Sequence, residues 1–193
     1  MSAARVLVAY PAHFLSREKF TRKVKHYISS LTVETLVSLD DPLGFVADLA
    51  ESIGAGFVVQ GSAELSCTHG IIFDHNGALA PVEELLKDLR IPGKKIALKL
   101  TTVVNKDHGE AFDVYIGRGT VWGNPYPIGP AGDREEVLRK YQYDFDRRFL
   151  RFFEDHDNNV KKIRGKILGC HCKPAACHGD ILATYVNSLD DGE

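Results

Sequence analysis

The feature that most constrains this chain is the regular exchange of short apolar runs and amphipathic segments over its first half. Residues 5–10, Arg-Val-Leu-Val-Ala-Tyr, form a compact β-type run closed by Pro11. Ser16 stands where a helix would begin, and Glu18 falls in the first turn, where the helix dipole favours a carboxylate. Phe20, Val24, Tyr27, Ile28 and Leu31 share one helical face. Arg17, Lys19, Arg22, Lys23 and Lys25 give the same helix a basic outer face, ordinarily a solvated one, with phosphate contact the lesser alternative. Residues 33–39 read as a second strand, and Asp40-Asp41-Pro42 opens a helix carrying Phe45, Val46, Leu49 and Ile53. Gly54 to Gly56 ends that helix. Residues 57–60 and 69–74 are further strands, residues 81–89 a helix, and residues 94–104 contain a fifth strand at 96–100. Strands alternating with helices imply an α/β fold, a Rossmann-like parallel sheet with helices on both faces. Ligands in such sheets sit at the carboxyl ends of the strands.

At 193 residues with a net charge of −2, the chain has room for two modest domains and no global basic field to recruit nucleic acid. The division expected is residues 1–104 for the Rossmann-like domain and 105–193 for a smaller α+β domain, joined by the short stretch 105–110. No apolar run approaches the length of a membrane span, so the expectation is a cytoplasmic protein without a membrane partner. In that compartment its four cysteines read as thiols or metal ligands rather than a disulfide framework.

Chemistry concentrates in the second half. Residues 113–126 form a strand followed by a loop punctuated by Gly117, Gly119 and Gly123. Arg118, flanked by glycines, suits a phosphate or carboxylate, and Gly119 lets the backbone approach a ligand. Trp122, the single tryptophan, offers either a stacking face or a packed anchor. Asn124 precedes Pro125, which keeps it out of helical geometry and fixes its amide. A helix opens at Asp133 and carries a core stripe of Val137, Leu138, Tyr141, Phe145, Phe149, Phe152 and Phe153, ending in a polar loop at 155–159. A strand then runs into residues 169–180, Gly-Cys-His-Cys-Lys-Pro-Ala-Ala-Cys-His-Gly-Asp, before a last amphipathic helix.

Two resemblances follow from these residues. The run at 5–9, the helix ending Ala47-Asp48-Leu49-Ala50-Glu51 and the segment from Thr68 to Asp74 make residues 4–104 resemble the SLOG class of Rossmann-like domains. That resemblance implies a nucleotide-related role, in a class that includes phosphoribohydrolases and nucleotide sensors. Where the class has a glycine-rich phosphate loop, this chain has Ser38-Leu-Asp-Asp-Pro-Leu-Gly44, which implies a degenerate site. Residues 101–189 closely resemble a bacterial and phage domain family without an established biochemical function. Its pattern is carried here by Asp113 to Arg118, Trp122 to Pro125, Arg134-Glu135, Arg164 to Cys172 and Cys177 to Asp180. His171 stands where that family more usually has an aromatic residue, which sets it aside as an essential ligand.

Three chemistries suit the cysteine-rich turn. Cys170, Cys172, Cys177 and His178 would make a Cys₃His zinc set, with Cys67 or His69 as a substitute because adjacent Cys177 and His178 fit one ion poorly. Alternatively Cys177, His178 and Asp180 are catalytic, with Lys173 and the helix start lowering a thiol pKa and Arg118, Gly119, Trp122, Asn124 and Lys173 binding a phosphorylated ligand. The third reading is packed cysteines beside a tight turn. The expected function is binding or processing of a nucleotide-like phosphorylated ligand, with N-glycosidic cleavage or transfer as the enzymatic form by analogy with SLOG relatives. The alternative is a non-enzymatic, zinc-stapled module that binds a protein or nucleic acid.

Overall fold

The computed structural model describes residues 3–192. The chain divides into two compact units, residues 1–98 with 188–193, and residues 99–187. The first unit is a five-stranded parallel sheet in the order β3-β2-β1-β4-β5. Its strands are β1 (Ala4–Ala9), β2 (Val33–Ser38), β3 (Gly56–Val59), β4 (His69–Asp74) and β5 (Gly93–Ala97). Its helices are α1 (Arg17–Ile28), α2 (Phe45–Ile53) and α3 (Ala80–Asp88).

Alternation along the strands sorts side chains between two faces. Leu7, Val37 and Ile72 pack with Leu86 of α3 on one face. On the other, Phe73 meets Phe20 of α1 with ring centroids 5.3 Å apart, and Tyr10 stacks on Phe45 of α2 at 5.3 Å. Helices therefore cover both faces of the sheet. The basic face of α1 is matched within the unit. Arg17 pairs with Asp48, Lys19 with Asp191, and Arg22 with Asp190 at 2.7 Å.

The second unit is built on a parallel three-stranded sheet in the order β6-β8-β7. These are β6 (Thr102–Asn105), β7 (Val114–Tyr115) and β8 (Ile167–Cys170), with helices α4 (Arg134–Asp146), α5 (His156–Ile163) and α6 (His178–Ser188). Residues 102–105, expected near the end of the first domain, are thus an edge strand here, paired with β8 from Thr102↔Ile167 to Asn105↔Cys170. The stretch expected to link the domains begins with buried Asn105, whose side chain donates to the Lys173 carbonyl at 2.6 Å. Thr101 and Asn187 close the unit by a reciprocal pair of hydrogen bonds, at 2.8 and 3.0 Å.

The single long helix expected over residues 134–153 is broken. α4 stops at Asp146, Arg148 takes φ 59°, and a short 3₁₀ turn at Arg151–Phe153 leads into α5. The polar residues 155–159 mostly belong to α5 rather than to a loop.

Candidate functional site

In the first unit, the carboxyl ends of the strands carry internal caps. Asp41 accepts from the backbone N–H groups of Val46 and Ala47, at 3.2 and 3.0 Å. The Tyr10 hydroxyl donates to Asp41 at 2.5 Å and accepts from Leu43 and Phe45 N–H groups, at 3.0 and 3.3 Å. The free N–H groups at the start of α2, which in a phosphate-binding helix would face the ligand, are held by a carboxylate and a phenol of the chain itself. Cys67 is half-buried beside the Leu7 cluster, and burial raises its thiol pKa. His69 bonds through Nδ1 to its neighbour Thr68 at 2.9 Å.

The second unit holds a cavity of about 320 Å³ at the carboxyl ends of β7 and β8. That volume is at the small end for ligand pockets, about 300–1,000 Å³. Its wall includes Tyr115, Arg118, Asn124, Tyr126, Arg134, Cys170, His171, Cys172, Cys177 and His178. β7 delivers Tyr115, β8 ends in Cys170, α4 begins with Arg134 and α6 begins with His178. The two helix starts turn their positive ends toward the cavity.

His178 is buried, and its Nε2 lies 2.8 Å from the Ile116 carbonyl oxygen. A carbonyl only accepts, so Nε2 carries the proton and Nδ1 keeps its lone pair. Burial lowers the pKa of the ring, outweighing the Ile116 bond and the nearby Asp180, and so favours the neutral base. Cys177 departs from expectation. Burial first, then Cys170 and Asp180 beside it, push its thiol up to about 12, so it is a protonated thiol rather than a low-pKa nucleophile. Its Sγ lies 3.6 Å from Cys170 Sγ, and both cysteines are buried. Cys172 donates its N–H to Cys170 Sγ at 3.3 Å.

The expected zinc set is not supported by this arrangement. Among the described residues, no group of three or more His, Cys, Asp and Glu side chains is placed to hold a metal ion. The two buried thiols of the set, Cys177 and Cys170, instead face each other, Sγ to Sγ at 3.6 Å.

The other expected residues separate. Arg118 lines the cavity, exposed and without a hydrogen bond or ion pair among the described residues. Asn124 lines it too, although its Oδ1 accepts from Tyr126 N–H at 2.9 Å and its Nδ2 reaches the Val137 carbonyl at 3.4 Å. Trp122, Gly119, Lys173 and Asp180 are not among the lining residues. Trp122 is an anchor, its indole N–H donating to the Asn159 carbonyl at 3.4 Å. Gly119 takes φ 97°, a turn position. Asp180 accepts from the Cys177 N–H at 3.0 Å and pairs with Lys173 at 2.5 Å, so both are occupied in holding the start of α6. Tyr115, Tyr126 and Arg134, which the sequence offers only within motif runs, join the wall. Arg134 reaches the Ala176 carbonyl at 3.4 Å, which leaves most of its donors for a ligand.

A central β1 flanked by β2 on one side and β4 on the other defines the first unit as a Rossmann-like domain. Residues 3–104 match the family described as the minimal SLOG domain, and the chain belongs to that family. Residues 102–188 match the family described as a domain of unknown function, DUF4326. An uncharacterized 12.4 kDa protein in the nrdA-td intergenic region of Enterobacteria phage T4 is 46% identical over 91 residues, covering 47% of this chain and 82% of the phage protein. No solved structure shows a significant match. SLOG membership carries a nucleotide-related ligand-binding or processing role. Among the described residues, no helix is long and apolar enough to cross a membrane.

Proposed function

We propose that the cavity of residues 99–187 binds a nucleotide-like phosphorylated ligand and acts on its N-glycosidic bond. The observation that carries this reading is one wall uniting two arginines, Arg118 and Arg134, with the buried imidazole of His178. A phosphate would take charge-assisted bonds from the guanidinium groups, while Tyr115 and Tyr126 offer aromatic surface to a base. Nδ1 of neutral His178 would accept the proton of the water whose oxygen ends on C1′. The C1′–N bond breaks, and the departing base keeps its electron pair. The capped start of α2 in the first unit supports placing the ligand here rather than there.

Calorimetric titration with nucleoside monophosphates, nucleotide sugars and dinucleotides tests the binding. Arg118→Ala should weaken it by about 1.5–3 kcal/mol, the range of a hydrogen bond to a charged group. Chromatography of the free base tests the reaction, which His178→Gln should abolish while binding persists. Binding that is indifferent to Arg118 and Arg134 would remove the assignment.

A further inference from the structure

A second cluster touches the same cavity, and apart from the ring face of Tyr115 none of it is used above. Tyr115, at the end of β7, places its hydroxyl 2.9 Å from Nε2 of His171, the residue that follows β8. Nδ1 of His171 lies 2.6 Å from Asp107 Oδ2, in the 3₁₀ turn after β6. The proton order follows from the partners. A carboxylate accepts, so Nδ1 carries hydrogen; the neutral ring then presents a lone pair at Nε2, and the phenol donates to it. The bond to His171 leads the causes that lower the Asp107 pKa, so its carboxylate stays charged. Lys106 pairs with Asp107 at 3.2 Å, and its ammonium also lies 5.8 Å from the centre of the Tyr115 ring. The Tyr115 ring is folded over Gly117, where a Cβ would fall 1.9 Å from the hydroxyl oxygen. Hydroxyl, imidazole and carboxylate in this order are the arrangement that activates a nucleophile.

We propose that Tyr115 is the nucleophile of the cavity, activated by a His171–Asp107 pair that accepts and holds its proton. The proposal rests on the nucleotide reading for its substrate. In the first step Tyr115 Oη bonds to C1′, the C1′–N bond breaks, and the base leaves with the electron pair and takes a proton from solvent. The phenol proton passes to His171 Nε2. In the second step a water oxygen bonds to C1′, the C1′–O bond to tyrosine breaks, and the phenolate recovers its proton from His171. The proton of the water goes to His178 Nδ1 and returns to solvent. His171 and Asp107 are positioning residues, acting through Tyr115. Their side chains are about half exposed, 48% and 50%, so a ligand that fills the cavity and excludes water strengthens the pair. Because C1′ is displaced twice, the anomeric configuration is retained.

The experiment labels the full-length chain with benzenesulfonyl fluoride, which transfers its sulfonyl group to an activated phenol as fluoride leaves, and reads each tyrosine by peptide mass spectrometry. Tyr143, 55% exposed with Arg147 over its ring at 3.5 Å, is a demanding internal comparison, and circular dichroism reports the fold of every variant. Tyr115 should label at least about tenfold faster than Tyr143, below the usual ~10²–10⁴-fold of general-base assistance because the pair is half exposed. His171→Ala should bring Tyr115 down to the rate of Tyr143, added imidazole should restore it, and Asp107→Asn should slow it several-fold. Labelling of Tyr115 no faster than Tyr143, or unchanged in His171→Ala, overturns the proposal. Repeating the labelling with nucleotides present separates the two readings. Fast, His171-dependent labelling that nucleotides neither bind nor slow keeps the reactive phenol and overturns the nucleotide assignment. Nucleotide binding beside an inert Tyr115 does the reverse.

Discussion

His178 has its charge state set by its surroundings, and this gives it a pH dependence of definite sign. The folded ring has a pKa below the ordinary 6.5 because burial opposes its charged form. An unfolded chain protonates this histidine near 6.5, the folded chain only at lower pH, so between the two values the unfolded state binds more protons. The stability held by the neutral ring is complete above the unfolded value and is lost as pH falls through the folded one. Urea midpoints should therefore drop from neutrality toward about pH 5, and His178→Gln should flatten the curve. An equally steep curve in the variant would exclude His178 as its source. Close packing beside the cavity gives a second residue-level expectation. A Cβ on Gly123 would lie 2.5 Å from the backbone oxygen of Gly117, which cannot swing aside as a side chain can. Gly123→Ala should cost about 1–3 kcal/mol in denaturant unfolding, and a change within error would show that the loop shifts freely. That Arg118 and His178 stand in the cavity wall was legible because a charged fork between glycines and a histidine at a helix start carry their chemistry locally. Asp107, His171 and Tyr115 were not. Their contacts span 64 and 56 positions and exist only because β8 lies between β6 and β7.

The elements show the same division between local and distant causes. The expected stop of α2 was close because Gly54 at φ 69° is a standard helix end, closed by bonds from Gly54 to Glu51 and from Ala55 to Ala50, whereas its start is at Phe45, after a turn at Pro42 and Leu43, rather than at Asp40 to Pro42. α4 ends by the same geometry, with Arg148 N–H on the Phe145 carbonyl at 3.0 Å and Phe149 N–H on that of Asp144 at 2.9 Å. An arginine takes the left-handed position there, so the sequence carries no glycine to mark the stop, and the aromatic stripe beyond it reads as continued helix. The break leaves Phe149 71% exposed, whereas Phe152 is fully buried. Arg148→Gly should relieve the left-handed strain but lose the guanidinium from above the Phe153 ring, 5.7 Å away. The net gain should be about 0.5–1 kcal/mol in urea unfolding. A loss of stability would mean that the arginine's contacts outweigh its backbone strain.

For the whole molecule, what was legible was the alternation that builds the first sheet and the composition that concentrates chemistry in the second half. The unit boundary was harder, because the apolar residues of β6 continue the pattern of the strands before them and only pairing with β8 assigns them to the second sheet. Residues 99–187 form one continuous stretch, while the first unit needs residues 188–193 as well. Every residue lining the cavity lies within that continuous stretch. It also contains an interior of its own, with Ile116, Tyr141, Phe152, Ile163, Leu168 and Leu182 all nearly inaccessible to solvent. Domains of about 60 residues already fold alone, so this larger stretch has enough interior to do so. A fragment of residues 99–187 should therefore unfold cooperatively in urea with a stability of roughly 4–13 kcal/mol, the range for a domain of this length. It should also keep the nucleotide affinity and the Tyr115 reactivity of the full chain. A fragment of residues 1–98 should fare less well, because it lacks the Asp190 partner of Arg22, joined by two bonds at 2.7 and 3.3 Å. Its deficit relative to the same sheet with the tail restored should be small and should shrink with added salt, as befits a solvent-screened ion pair. If residues 99–187 fail to fold while the full chain is stable, the cavity is not the property of one unit, and its chemistry must be sought in the intact chain.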